Sequence, residues 1–145
     1  MNWRILTVGR PSLAYAREGC AEYIKRINRF AKLEHIGVRA SDPSREAAGL
    51  MDRSEGCFRV VLDETGNQLT SRQLASKVDE WQQASRPVAV IIGGADGHAP
   101  ELPGSAGLLW SLGSLTLQHE LALVVVLEQI YRAHTILVGH PYHRD

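Results

Sequence analysis

Val88-Ala-Val-Ile-Ile92 runs without a break into Gly93-Gly-Ala-Asp-Gly97. Five successive apolar residues, most of them β-branched, read as a strand buried on both faces, which is the mark of a parallel sheet. Pro87 ends whatever precedes it. A strand that opens into a glycine turn is where parallel α/β proteins bind their ligands, because glycine has no Cβ and lets a ligand approach the main chain. The stretch is not G-x-G-x-x-G opening a helix, and no Gly-Lys-Ser/Thr follows it, so neither a dinucleotide fingerprint nor a phosphate loop is present. A plain β-to-α turn is the competing reading.

Working outward, strands and helices alternate. Trp3 to Gly9 reads as a first strand, turned out by Gly9-Arg-Pro11. Ser12 is a candidate cap for a helix to about Ala31, whose apolar Ala16, Cys20, Tyr23, Ile24, Ile27 and Phe30 fall at helical spacing. Leu33 to Ala40 reads as a strand, and Asp42-Pro43 as an N-cap followed by a first-turn proline, opening a helix over 44–54. Phe58 to Asp63 reads as a strand, Glu64-Thr-Gly-Asn67 as a turn, and Ser71 to Ala84 as a helix with Leu74, Val78 and Trp81 on one face. Beyond Gly97, prolines and glycines break the pattern. Leu108 to Trp110 reads as a helix end or strand, Leu115 to Leu117 as a strand, and His119 to His134 as a helix apolar nearly all round, hence buried on more than one side. The alternation predicts one α/β domain over 1–145, a parallel sheet with helices on both faces.

Composition bounds the function. Hydrophobic content of 44% and charged content of 22% are those of an ordinary globular domain. The run Leu121–Leu127 is too short to span a bilayer and the first residues hold no signal peptide, so a cytoplasmic protein without a membrane partner is expected. Cys20 and Cys57 read as reduced thiols. Sixteen basic and sixteen acidic residues cancel, which argues against bulk electrostatic capture of naked nucleic acid. The charge is uneven: residues 1–59 hold 11 Lys/Arg against 7 Asp/Glu, and the rest hold 5 against 9. Lys25, Arg29 and Lys32 share a helix face beside Arg26, a row suited either to phosphate contact or to plain solvation.

The chain closes on His140-Pro-Tyr-His-Arg-Asp145. Tyr142, His143 and Arg144 supply a hydrogen-bond donor, an imidazole and a fixed cation within three residues. A solvated tail is the plain alternative. His140 and His143 alone are too few ligands for zinc. His119 and His134 bracket the last helix, each able to cap or pack, and Arg132 leads from that helix toward the tail.

Taken together, Ile92-Gly-Gly-Ala-Asp-Gly97, Ser111-Leu-Gly-Ser-Leu-Thr-Leu117, His119, Leu127-Glu-Gln-Ile-Tyr-Arg-Ala133 and Tyr142-His-Arg144 resemble the small SPOUT methyltransferases, and within them the ribosomal RNA large subunit methyltransferase H group. Ile5-Leu-Thr-Val-Gly9 and Glu22-Tyr-Ile-Lys-Arg26 extend the likeness over nearly the whole chain. The resemblance implies an α/β knot, a mainly parallel sheet flanked by helices with a C-terminal trefoil knot, one of the rare exceptions to unthreaded chains. It implies S-adenosylmethionine as cofactor, held bent by Leu62, Gly93, Leu112, Gly113, Ser114, Leu115, Thr116 and Leu117. It implies a homodimer, each active site completed by the partner, acting on N3 of a pseudouridine in 23S rRNA of the assembled ribosome. Tyr142, His143 and Arg144 then stand as the catalytic group, and Lys25, Arg29, His119 and Arg132 as substrate contacts. Gln118 stands where the family has proline, and Leu123 where it often has arginine; the missing arginine removes one possible cation for substrate or cofactor.

Three other readings stay open on residues alone. One is a ribosome-associated binding module that keeps the pocket without catalysis. Another is a SPOUT enzyme acting on a different RNA base. The third is an unrelated α/β enzyme that binds a nucleotide through Gly93–Gly97.

Overall fold

The computed structural model describes residues 1–94 and 97–144. Ala95 and Asp96 of the glycine turn, and the terminal Asp145, lie outside the described residues. Ten elements follow in order: β1 (Asn2–Val8), α1 (Ala14–Ile27), β2 (Lys32–Val38), α2 (Pro43–Arg53), β3 (Phe58–Gln68), α3 (Ser71–Gln83), β4 (Val88–Ile92), α4 (Glu101–Gly104), β5 (Leu108–Ser111) and α5 (His119–Val138). The strands form one sheet in the order β2-β1-β4-β3-β5, and every neighbouring pair is parallel.

Alternation along each strand sorts side chains into two cores. Trp3, Ile5, Val60, Val88, Val90 and Ile92 pack with α1, α3 and α5. Leu6, Val61, Ala89 and Ile91 pack with α2 and α4 on the other face. All five residues of β4 are buried, as its unbroken apolar run requires at the centre of a parallel sheet. α5 is long and apolar enough by length and composition to cross a membrane. Here it is a core helix: Leu123, Val126, Leu127 and Ile130 are each at most 2% exposed, and burial of each such side chain contributes about 1.5–3 kcal/mol.

The structure departs from the sequence reading in ways that shape the site. Ser12 does not cap α1; Leu13 is the N-cap residue and offers no side-chain bond. The carboxylate of Glu120 takes that role from 107 residues away, accepting from the N–H groups of Ser12 and Leu13 and from the Ser12 hydroxyl. Thr70, not Ser71, caps α3, in a reciprocal box with Gln73. Residues 64–67 are not a turn between elements but a bulge within β3: Leu62 and Asn67 both pair with Trp110. Gly66 allows it, since a Cβ there would meet the Leu109 carbonyl carbon at 2.6 Å. Leu115–Leu117 is no strand; residues 112–118 cross from β5 to α5 in neither helix nor strand. They follow the edge strand β5, and among the described residues no strand pairs with them. α5 runs to Val138, and Gly139 in the left-handed conformation (φ 71°) ends it.

Candidate active site

A cavity of about 370 Å³ opens at the carboxyl edge of the sheet, beside the ends of β3, β4 and β5. One wall is Ile92, Gly93, Gly94 and Gly97, the glycine turn after β4. A second is the β3 bulge, Leu62 to Thr65. A third runs from Trp110 through Leu112, Gly113, Leu115 and Leu117 to His119 and Ala122 at the start of α5. The structure thus brings together Leu62, Gly93, Leu112, Gly113, Leu115, Leu117 and His119, all singled out from sequence. Ser114 and Thr116 belong to the same loop but do not line the cavity.

The third wall is fixed locally where it leaves β5. The Ser111 hydroxyl donates to the Gly113 carbonyl at 3.0 Å and accepts from the Gly113 N–H at 3.2 Å. Gly113 has φ 141°, a conformation that an L side chain strains to adopt. From Ser114 to Leu117, neither N–H nor C=O makes a hydrogen bond among the described residues. Backbone polar groups of this kind seek partners, and two of these residues, Leu115 and Leu117, line the cavity. Leu115 is 79% exposed at the rim, an apolar side chain with nothing yet to cover.

Two features of the cavity escaped the sequence reading. His98 donates from Nε2 to the Leu62 carbonyl at 3.0 Å, and its ring lies so close to Gly93 that a Cβ there would fall 2.9 Å from it. Burial holds His98 below the usual imidazole range, against the bond to Leu62 and the charge of Asp63. Asp63 accepts from the Thr65 hydroxyl and N–H at 2.6 and 2.8 Å, and the Thr65 hydroxyl above all holds its carboxyl below the ordinary carboxylate range. The Asp-x-Thr spacing, a local Asx turn, was the available signal. Asp63 and Glu64 give the cavity an acidic side.

The tail builds a second cluster, from side chains. Past Gly139 the chain turns back, and the Tyr142 ring packs edge-on against Tyr131 with centroids 4.7 Å apart. Its hydroxyl lies 3.4 Å from both Glu128 Oε1 and the Tyr23 hydroxyl. Burial, with Tyr23 and Glu128 beside it, pushes the Tyr142 phenol well above its ordinary pKa, so it is a donor rather than a base. Arg132 is bound to Glu128 through Nε and Nη2, both at 2.8 Å, covers the Tyr142 ring at 4.8 Å, and donates from Nη1 to His143 Nδ1 at 3.2 Å. Glu128 acts first among the groups that raise the Arg132 pKa. None of residues 140–144 lines the cavity of its own chain.

The remaining candidates separate. Lys25 and Arg29 sit at and just beyond the last turn of α1, which leads into β2 where Asn2 and Lys32 pair. That is the amino edge of the sheet, opposite the cavity. His134 neither caps α5 nor faces solvent: it is 2% exposed, accepts from Trp3 Nε1 at 3.0 Å and stacks on Phe30. Burial drives its pKa down to about 4. Among the described residues, no group of three or more His, Cys, Asp or Glu side chains is placed to hold a metal.

Comparison with known proteins agrees with this geometry. The family model described as "Predicted SPOUT methyltransferase" matches residues 1–143. The chain is similar to a "Ribosomal RNA large subunit methyltransferase H" of Thermus thermophilus, 46% identical over 144 residues and 99% of each chain. A probable methylase family protein from Haemophilus influenzae has a similar fold, with TM-score 0.62 and 12% identity over 99% of this chain and 70% of that one. A ribosomal RNA small subunit methyltransferase E from Neisseria gonorrhoeae, solved bound to S-adenosylmethionine, superposes with TM-score 0.50 and 10% identity over 94% of this chain and 66% of that one.

Proposed function

The chain belongs to the SPOUT methyltransferase family, and on that footing we propose that it transfers a methyl group from S-adenosylmethionine to large-subunit ribosomal RNA, at N3 of a pseudouridine in 23S rRNA on the assembled ribosome. The observation that carries the reading is the cavity between the Gly93 turn and the 112–117 loop, lined on the loop side by Leu112, Gly113, Leu115 and Leu117. Its volume lies in the range of small-molecule sites.

The residues present suit that cofactor. Leu62, Ile92, Leu112 and Leu117 offer apolar contact to a nucleoside, the 112–117 main chain offers donors and acceptors, and Asp63 and Glu64 offer negative charge to a cation. When bound, the cofactor supplies a sulfonium methyl that is already electrophilic. The protein's task is then alignment and proton removal. N3 of pseudouridine is an imide whose lone pair is freed only when its proton leaves, and a positioned base is worth about 100- to 10,000-fold.

The tail supplies that group. With the Tyr142 phenol held protonated, His143 takes the proton and Tyr142 donates a hydrogen bond. Arg132 occupies Nδ1 of His143, so Arg132 has to exchange the ring for substrate before the ring accepts a proton. Arg144 and Arg132 then face the developing negative charge. Because the tail does not line its own chain's cavity, a homodimer in which a second copy completes each site follows naturally. In that arrangement Lys25 and Arg29, remote from the cavity of their own chain, become candidates to meet the substrate at the partner's site. Threading of the 112–118 segment as a trefoil knot belongs to the same reading.

Incubating the protein with methyl-labelled S-adenosylmethionine and ribosomes lacking the modification, then mapping 23S rRNA by mass, tests the proposal. One added methyl on a pseudouridine is expected. Cofactor binding with no transfer to any ribosomal RNA would instead point to a non-catalytic binding module.

A further inference from the structure

A second, smaller groove adjoins the cavity. It is lined by Thr7, Gly9, Arg10 and Pro11 on one side and by Gly93, His119 and Glu120 on the other. Ile92, Gly93 and His119 also line the main cavity, so the two are continuous. The groove lies between the carboxyl ends of β1 and β4. These are adjacent strands whose following connections depart to opposite sides of the sheet. That is the switch point at which open α/β sheets place ligands.

Arg10 is the cation on this groove, and the chain goes to some length to place it. Gly9 has φ 71°, and its N–H is bonded to the Val38 carbonyl at 2.7 Å. Its carbonyl accepts the Thr7 hydroxyl, also at 2.7 Å. Thr7 has thereby spent its one proton, so the 2.8 Å contact with His35 Nε2 must be a donation from the ring. Burial, with Arg10 nearby, holds His35 neutral, its pKa down to about 4. The stem of Arg10 lies over Gly37, where a Cβ would meet the Gly9 oxygen at 2.7 Å and Arg10 Cγ at 3.2 Å. Its Nη2 donates to the His35 carbonyl at 3.2 Å. No carboxylate pairs with Arg10 among the described residues. Glu120, the acid on the groove, is already met by Ser12 and Leu13.

A side chain whose stem is this well fixed, and which pairs with no carboxylate among the described residues, is set for an anion from outside. We propose that Arg10 docks a backbone phosphate of the RNA strand carrying the target base, and that Thr7 and His35 are positioning residues for it. The inference rests on the proposed function. It differs from the Lys25–Arg29 row in placing the phosphate contact on the same edge as the cofactor cavity.

Steady-state methylation of ribosomes across a salt series, with S-adenosylmethionine affinity measured by calorimetry and folding by thermal melts, tests it. Arg10→Ala should raise KM for ribosomes about tenfold, one lost phosphate contact, with kcat and cofactor affinity unchanged, and should lower the salt slope by about one. Arg10→Lys should keep the slope and lose part of the affinity. Thr7→Val keeps the cation but frees the turn, and should raise KM a few-fold with the slope intact. An Arg10→Ala protein that folds and binds cofactor normally, yet keeps the wild-type KM and slope, would overturn the proposal. If the wild-type protein methylates no ribosomal RNA, the proposed function fails. Arg10 is then judged by equilibrium binding of 23S rRNA, where an unchanged salt slope in Arg10→Ala overturns it.

Discussion

The cavity and the tail solve different problems with different parts of the chain. The cavity is formed by connecting segments: glycines after β4, a bulge in β3 and a loop in neither helix nor strand. The tail cluster is made of side chains, with Tyr142 and His143 of the tail joined to Arg132 and Glu128 of α5. α5 links them, since its first turn lines the cavity and its last third carries the tail. On the proposed function, the contrast is a division of labour, in which the connecting segments receive a cofactor by shape and the tail's side chains handle charge and protons. Changes in one region should therefore leave the other's property alone.

The strongest break comes from the tail. Removing residues 142–145 should cut methyl transfer by about 100-fold or more while cofactor affinity by calorimetry stays as it was. Loss of both would show that the tail is part of the cofactor pocket.

Acid should act next, through the scaffold the two regions share. His134 and His35 are held neutral, with pKa values down to about 4 against an ordinary value near 6.5. The unfolded chain takes up these protons first. Stability is therefore whole above about pH 6.5 and falls as pH drops toward 4, by roughly 2–3 kcal/mol for each histidine, less at the partly exposed His35 than at the buried His134. Thermal melts over that window check it, and a Trp3→Phe variant, which leaves His134 without its donor, should flatten the His134 share.

Gly113→Ala probes the cavity alone. The strain of a Cβ at φ 141° should weaken S-adenosylmethionine binding about tenfold, or 1.4 kcal/mol, with the tail's contacts unmoved. The smallest effect is expected of Tyr142→Phe. Its hydroxyl contacts are long, at 3.4 Å, and the ring keeps its packing on Tyr131, so stability should fall by less than about 1 kcal/mol. A larger loss would mean that the hydroxyl, rather than the ring, anchors the tail.

How much of this was legible follows the same division. The buried run of β4 and the glycines after it announced the sheet and one cavity wall, because burial and backbone freedom are written locally. The 112–117 stretch was found only through its family likeness; its end, Leu115 to Leu117, reads as a strand that does not form, since among the described residues no strand lies beyond β5 to pair with it. What could not be read were bonds between distant residues. Glu120 caps α1 from 108 positions beyond Ser12, and Trp3 meets His134 across 131. The basic row at Lys25 and Arg29 was legible as a helix face, but only the fold shows that it lies at the sheet edge away from its own cavity.

On the proposed function, the 112–117 loop, which lines the cavity through Leu112, Gly113, Leu115 and Leu117, receives the methyl donor. A crystal structure of the protein with S-adenosylhomocysteine tests it directly. The account predicts the nucleoside between Leu62 and the 112–117 backbone, with the N–H and C=O groups of that loop bonded to the ligand. Ligand density elsewhere, or a loop whose backbone stays clear of the bound molecule, would contradict it.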